Sequence, residues 1–458
     1  MTRFLMLVLF ALSHVTVAVA QAEPARVAAP QKVGLSSERL SRIGEVLNGE
    51  IAKGTLPGAV VLVARKGQIA YFEAFGFQDK DAGRKMTRDS IFRVYSMTKP
   101  FVSVAAMMLM EEGKLELTDP VSKFLPSFKG LKVASMKKDP TTGEVTYATA
   151  PAEREPTIQD LLRHTSGIVY DFVTQNAQVK EAYQKEGLSA LGADFFDIPS
   201  SELVEKFSRA PLAYQPGTAW EYSFSTDVLS RVIEKVTNVR LSAFLEQRLF
   251  QPLRMTDTAF WLPKEKLARV AQPFAKDPIT GAPSTVMDPS REPKNDSGGA
   301  GSLSTTLDYY RFSQMMLNRG QLDGKRILSP TTVSLMTSDH LGAIPPTFLS
   351  PGGLLMGVPG YTFGLGFMVR QGPGIAGVPG SAGEFMWGGA QGTFFWIDPK
   401  EQLVGVFMSQ AGGPIRQYYR KLIKQLVYQA IVDDPPSAQA AGTERRERGG
   451  RAAVTARH

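Results

Sequence analysis

Two kinds of hydrophobic spacing divide the chain. Near the amino end, Leu40, Ile43, Val46 and Leu47 recur at helical intervals behind Ser36-Ser37-Glu38. That capping pattern predicts a helix over 35–50. The apolar runs 58–64 (GAVVLVA) and 68–75 read as strands, and Lys66-Gly67 between them reads as a hairpin turn. From about 100 to 345, helical patterns alternate with Pro/Gly loops. Strand-like runs return at 361–370, 393–398 and 402–408, and a helical pattern closes the series at 415–432. Strands at both ends and helices between them predict an α/β chain of the α+β type. One antiparallel sheet is assembled from both chain ends and flanked by terminal helices, as a sheet lobe of 35–98 and 350–433. A mainly helical lobe, 99–349, is inserted. The cleft between two such lobes is the expected place for a site.

The two ends read differently. Thr2-Arg3, an apolar run over 4–12 and Ala18-Val19-Ala20 form the pattern of a cleaved leader over 1–20, cut after Ala20. The run is too short to span a bilayer, so no stable membrane insertion is expected after cleavage. A secreted or periplasmic location follows. Residues 21–34, rich in Ala and Pro, read as a linker. The stretch 434–458, Ala/Gly/Arg-rich, reads as a disordered basic tail.

Composition removes whole classes of chemistry. The 458 residues include no cysteine, which excludes disulfides, thiolate nucleophiles and zinc–thiolate sites. The four histidines, His14, His164, His340 and His458, show no metal-ligand spacing, so neither metal nor cofactor is expected. No serine lies in a G-x-S-x-G elbow. The formal charge of +8 falls to +4 for the body once Arg3 and the net +3 of positions 435–458 are set aside. No basic stripe remains to favour nucleic acid.

The first chemical signal is Ser96-Met97-Thr98-Lys99, an S-x-x-K pattern. Ser135-Met136-Lys137-Lys138 matches as well, but loop or hairpin residues follow it. After Ser96 comes Pro100, tolerated in a first helical turn, then an apolar run to Met110 and a C-terminal glycine, Gly113. This reads as a buried helix with Ser96 at its start and Lys99 one turn along the same side, within reach of the serine proton. The helix start also offers the Ser96 N–H to a developing oxyanion. A serine cap followed by a surface lysine fits the same letters.

Five blocks in order over about 300 residues then resemble the serine β-lactamase-like hydrolases, a family that includes class C β-lactamases, D-alanyl-D-alanine peptidases and the family VIII carboxylesterases. They are 91–99 around Ser96, 157–167 with its LLxHTSG-like stretch, 216–223, GGAGSLST at 298–305 and 394–399. The resemblance implies the β-lactamase/transpeptidase-like fold over 35–433. It also assigns Tyr222 as the tyrosine that shares proton transfer with Lys99. The asparagine that β-lactamases carry two residues on is Phe224 here, and Asp227-Val228-Leu229 follows, as in the family VIII esterases. The third motif aligns with Trp387-Gly388-Gly389, where Trp387 removes the cation that β-lactamases use. By the same resemblance, the backbone N–H groups of Ser96 and Ala390 form the oxyanion hole, and Trp387, Gly388, Gly389 and Phe224 bind substrate. The two glycines are expected to let the backbone approach the substrate closely. His164 reads as a helix cap or loop tie rather than a base.

The expected activity is hydrolysis of carboxylic esters with short-to-medium acyl chains through an acyl-enzyme on Ser96, with a small-molecule ester as partner. β-Lactam or D-alanyl-D-alanine hydrolysis at the same site, and a silent peptidoglycan-binding relative, are the competing readings.

Overall fold

The computed structural model describes residues 25–138, 140–143, 145–189 and 193–433. The expected leader and basic tail lie outside the described residues. Helix α1 (Ser37–Ala52) starts where Ser36 accepts the Arg39 N–H at 3.3 Å. Strands β1 (Gly58–Arg65) and β2 (Gln68–Asp79) form the hairpin. Lys66 and Gly67, at φ 52° and 74°, supply the two left-handed residues of its tight turn. β3 (Arg84–Lys85) is the edge, and β4 (Ile91–Arg93) leads into α2 (Thr98–Glu111). Twelve consecutive residues of α2, Thr98 to Leu109, are buried, as its apolar sequence requires.

Next come the hairpin β5 (Lys132–Lys138) and β6 (Val145–Pro151), then helices α3 (Ile158–Leu162), α4 (Ala177–Glu186), α5 (Ser200–Arg209), α6 (Ser225–Thr237) and α7 (Leu241–Leu245). β7 (Leu303–Thr305) returns to pair with β4 and runs into α8 (Thr306–Leu317). A short hairpin, β8 (Gln321–Leu322) and β9 (Lys325–Arg326), precedes α9 (Pro330–Met336) and α10 (Pro351–Met356). The chain closes with β10 (Tyr361–Phe363), β11 (Met368–Arg370), β12 (Phe385–Gly388), β13 (Phe394–Asp398), β14 (Leu403–Ser409) and α11 (Ile415–Tyr428).

The main sheet has eight antiparallel strands in the order β10-β11-β12-β13-β14-β1-β2-β3. The two chain ends meet at its centre, with Val61 opposite Phe407 and Val63 opposite Gly405. Every residue of β1 and β14 is buried, so both faces are covered. Strand alternation shows by what. Phe407 packs on Tyr419 of α11, whereas Phe395, on the opposite face of β13, packs on Tyr309 of α8.

Four expectations change. Residues 25–34 are not a free linker: Ala28 N–H bonds Ile69 O at 2.8 Å, and Val33 is buried. The 361–370 run is two strands, because Gly364 and Gly366 turn between them. A Cβ at Gly364 would lie 2.2 Å from Met336 O, and one at Gly366 2.2 Å from Ser103 Oγ, so the turn packs on the helical side. The inserted lobe carries strands β5 to β9, and its helix α8 belongs to the sheet's own packing. The last helix ends at Tyr428 rather than 432. Among the described residues, no helix is long and apolar enough to cross a membrane.

Candidate active site

Ser96 is not inside α2 but on the 3-10 turn Tyr95–Met97 that precedes it. Tyr95 has φ 45°, a conformation that costs energy for a bulky residue and persists only where surroundings impose it. They do so here through several bonds. The Thr98 hydroxyl donates to Tyr95 O at 2.6 Å and accepts the Ser302 N–H at 3.1 Å. Ser302 O accepts the Val94 N–H at 3.1 Å, and the Tyr309 hydroxyl donates to Met97 O at 2.9 Å. The segment 298–305 therefore clamps the turn. Ser96 is left half-buried, between buried Val94 and buried Met97. No side chain caps α2 among the described residues; its start continues the 3-10 turn, where the Met97 N–H bonds Val94 O at 3.0 Å and the Thr98 N–H bonds Tyr95 O.

Lys99 is a core residue, which disposes of the surface-lysine reading. Its Nζ donates to the Tyr170 hydroxyl at 2.9 Å and to Gly299 O at 2.8 Å. It also lies 4.6 Å from the centroid of the Tyr222 ring. Behind it sits buried Asp227, which accepts from the Ser297 hydroxyl at 2.6 Å and the Gly299 N–H at 3.1 Å. Burial raises the Asp227 pKa, and Lys99 partly opposes that shift. Gly299 has no room for a side chain: a Cβ would lie 2.3 Å from Asp227 Oδ2 and 2.9 Å from Tyr170 Oη.

Tyr222 is buried just before α6, and its ring packs on Tyr170, Trp387 and His164 at centroid distances of 5.1, 5.2 and 5.0 Å. Its hydroxyl has no hydrogen-bond partner among the described residues. A buried polar atom of this kind calls for an explanation, and a substrate or water supplies one. His164 sits past the end of α3 with φ 60°, and its Nδ1 meets Ser223 Oγ at 2.9 Å. Burial first, and Lys99 second, hold its pKa well below the ordinary imidazole value. The neutral ring ties down the Tyr222 loop.

Phe224 corrects an expectation. It does not face the cleft but is buried among Tyr170, Phe195 and Phe207, with centroids 4.4 to 5.2 Å away. It shapes the site only by backing Tyr170. The position follows from its place directly before the first turn of α6, which turns the side chain inward.

The far wall is the end of β12. Trp387 is buried against Tyr222 and Phe363, and its Nε1 has no acceptor among the described residues. Both glycines are packed closely against the protein. A Cβ on Gly388 would lie 2.8 Å from Arg420 Nη2, and one on Gly389 2.4 Å from Val94 O. The Gly389 backbone thus abuts the strand that leads to Ser96. Ala390 is half-buried, and its N–H has no acceptor among the described residues. A cavity of about 570 Å³ opens beside Tyr95 and Ala390. It runs between 273–293 and 410–415, with Phe196, Phe260, Phe274, Val286 and Met287 on its walls.

Sequence reasoning missed the acceptors of Lys99, namely Tyr170 and Gly299, and the arginines of α11 behind Ala390. The GGAGSLST block pointed to Gly299. Tyr170 lies beyond the 157–167 block and in no motif, and Arg416 and Arg420 carried no sequence signal.

The family model described as Beta-lactamase matches residues 42–428. Esterase EstB of Burkholderia gladioli is 31% identical over 380 residues, 78% of this chain and 87% of that protein. The lovastatin esterase of Penicillium rubens is 30% identical over 387 residues, 80% of this chain and 91% of that protein. Among solved structures, EstCE1, described as a hydrolase with promiscuous acyltransferase activity, is similar with a TM-score of 0.71 at 26% identity. That match covers 85% of this chain and 99% of EstCE1.

Proposed function

The chain belongs to the beta-lactamase family, and on that premise we propose that it is a serine hydrolase of carboxylic esters. The observation that carries this reading is a buried Lys99, held by Tyr170 and Gly299 and facing Tyr222, one turn after a half-buried Ser96. Ser96 Oγ attacks the ester carbonyl, and its proton enters the Lys99–Tyr222 network. The carbonyl oxygen, now an oxyanion, is held by the N–H groups of Ser96 and Ala390. The alcohol leaves with a proton from the same network. Water then adds to the acyl-enzyme, the network takes the water proton, and Ser96 Oγ departs with a proton as the carboxylic acid is released.

The site supports an ester more than a β-lactam. Phe224 offers no amide, and Trp387 stands where a cation would hold a carboxylate. The cavity of about 570 Å³ lies in the range of small-molecule sites and takes the larger half of the ester. A panel of p-nitrophenyl esters and a chromogenic cephalosporin, run on wild type and Ser96→Ala, tests the reading. Ester turnover with a burst that Ser96→Ala abolishes is expected. Full ester hydrolysis by Ser96→Ala, or turnover of the cephalosporin alone, would overturn it.

A further inference from the structure

The peptide that offers the Ala390 N–H begins at the Gly389 carbonyl, and that carbonyl is occupied from behind. Arg420 of α11 donates to Gly389 O through Nη2 at 2.6 Å and to Leu355 O through Nη1 at 2.9 Å. The Gly392 N–H adds a second bond to Gly389 O at 3.2 Å. One turn earlier on the same helix, Arg416 donates to the next carbonyl, Ala390 O, at 3.2 Å. Two successive carbonyls at the end of β12 are therefore each bonded to a guanidinium.

Arg420 is an unusual structural arginine. It is 2% exposed, yet no carboxylate pairs with it among the described residues. Burying an unpaired charge is costly, and burial and Arg416 together oppose its charged form. Simple packing would be served by an apolar side chain. Gly388 is the concession made for it, since a side chain there would strike the guanidinium.

We propose that Arg420 is a positioning residue for the reaction: by binding the Gly389 carbonyl it polarises the Gly389–Ala390 peptide and strengthens the N–H that Ala390 offers to the oxyanion. A peptide whose carbonyl accepts a charge-assisted bond becomes a better donor at its N–H, because hydrogen bonds in a chain polarise one another. The same bond fixes the direction of that N–H, which matters because an oxyanion hole works through donors already in place. The inference rests on the reading of Ala390 as an oxyanion donor.

The test uses Arg420→Met, which keeps the length and removes the charge, and Arg420→Lys, which keeps a charge but on a single nitrogen without the guanidinium fork. Acylation rate, KM, and the carbonyl stretching frequency of an isotope-labelled acyl-enzyme are measured for each. Arg420→Met is expected to acylate about 10- to 100-fold more slowly, short of the loss of a whole oxyanion donor, with KM within about twofold. Its acyl carbonyl should stretch at higher frequency than wild type, with Arg420→Lys between them. Acylation within twofold of wild type and an unchanged frequency would overturn the proposal. If Arg420→Met does not fold, Arg420→Lys carries the same readout, and an unchanged carbonyl there is equally fatal. The wild-type acyl-enzyme separates this inference from the reading beneath it. If its carbonyl is not shifted down from that of the ester in water, the hole itself is misassigned, and the role of Arg420 falls with it.

Discussion

The amine of Lys99 donates to the hydroxyl of Tyr170 at 2.9 Å, while the hydroxyl of Tyr222, on the ring 4.6 Å from that amine, has no partner among the described residues. Two phenols thus share one lysine but do different work. Burial, with Tyr222 and Asp227 adding to it, pushes the Tyr170 pKa well above the usual phenol value, so Tyr170 stays a neutral hydrogen-bond partner. Tyr222 is the one left to meet a substrate proton. Tyr222→Phe is therefore expected to slow acylation by about 100-fold or more, as for a lost general acid–base group. Tyr170→Phe should cost about tenfold, the scale of one hydrogen bond. Rapid-quench acylation rates check both, and the reverse order would reassign the two rings.

Gly299→Ala should be more damaging than its size implies. The new methyl would stand 2.3 Å from Asp227 Oδ2, and the Gly299 carbonyl that holds Lys99 would have to move. We expect a loss of about 1–3 kcal/mol in urea unfolding, the usual cost of overpacking. Ester turnover should fall further than this stability loss explains. Wild-type turnover in a correctly folded variant would show that the carbonyl is dispensable.

Asp308, at the start of α8, predicts a pH dependence of stability. Burial pushes its pKa up to about 7, although the Asp257 N–H and the Thr258 hydroxyl pull the other way. In the unfolded chain it ionises near 3.8. Between these values the folded state keeps a proton that the unfolded state releases. Stability from this group is thus full below pH 4, falls as pH rises to about 7, and is level above. Asp308→Asn should remove that slope and gain on wild type as pH rises from 4 to 7. Urea midpoints across this range would run parallel for the two proteins if the carboxyl titrates normally.

The cavity beside Ala390 predicts discrimination by size. Ala282 lines it from an exposed position, so Ala282→Trp adds bulk without disturbing the core. kcat/KM for esters with a bulky apolar group should drop about 10-fold or more, within the reach of hydrophobic pocket contacts. Acetate ester hydrolysis should stay within twofold. Equal loss on both substrates in steady-state assays would mean that the cavity is not the substrate's.

Sequence spacing made the frame legible. The left-handed pair Lys66-Gly67 fixed a hairpin, and the unbroken apolar run after Ser96 could only be a buried helix. Ser96 and Lys99 were readable because they lie one local turn apart in the chain. Tyr170, Gly299 and Arg420 were not, because each reaches the site from an element distant in the chain. Phe224 was misjudged for a related reason. Motif spacing gave its position but not its direction, which the start of α6 decides. The 361–370 run looked like one strand because its two glycines were counted as strand residues; contacts with Met336 and Ser103, invisible in the sequence, make them a turn.

The pairing of β1 with β14 has a temporal meaning. The nucleophile is made in the first quarter of the chain, but the peptide beside it at Gly389 and the strand that completes the sheet come only in the last. Such distant partners make folding slow and place it late. A chain that stops between α2 and β14 carries Ser96 and Lys99 but lacks the central strand that joins the two halves of the sheet. Ester hydrolysis is therefore expected only once the last quarter of the chain has been made.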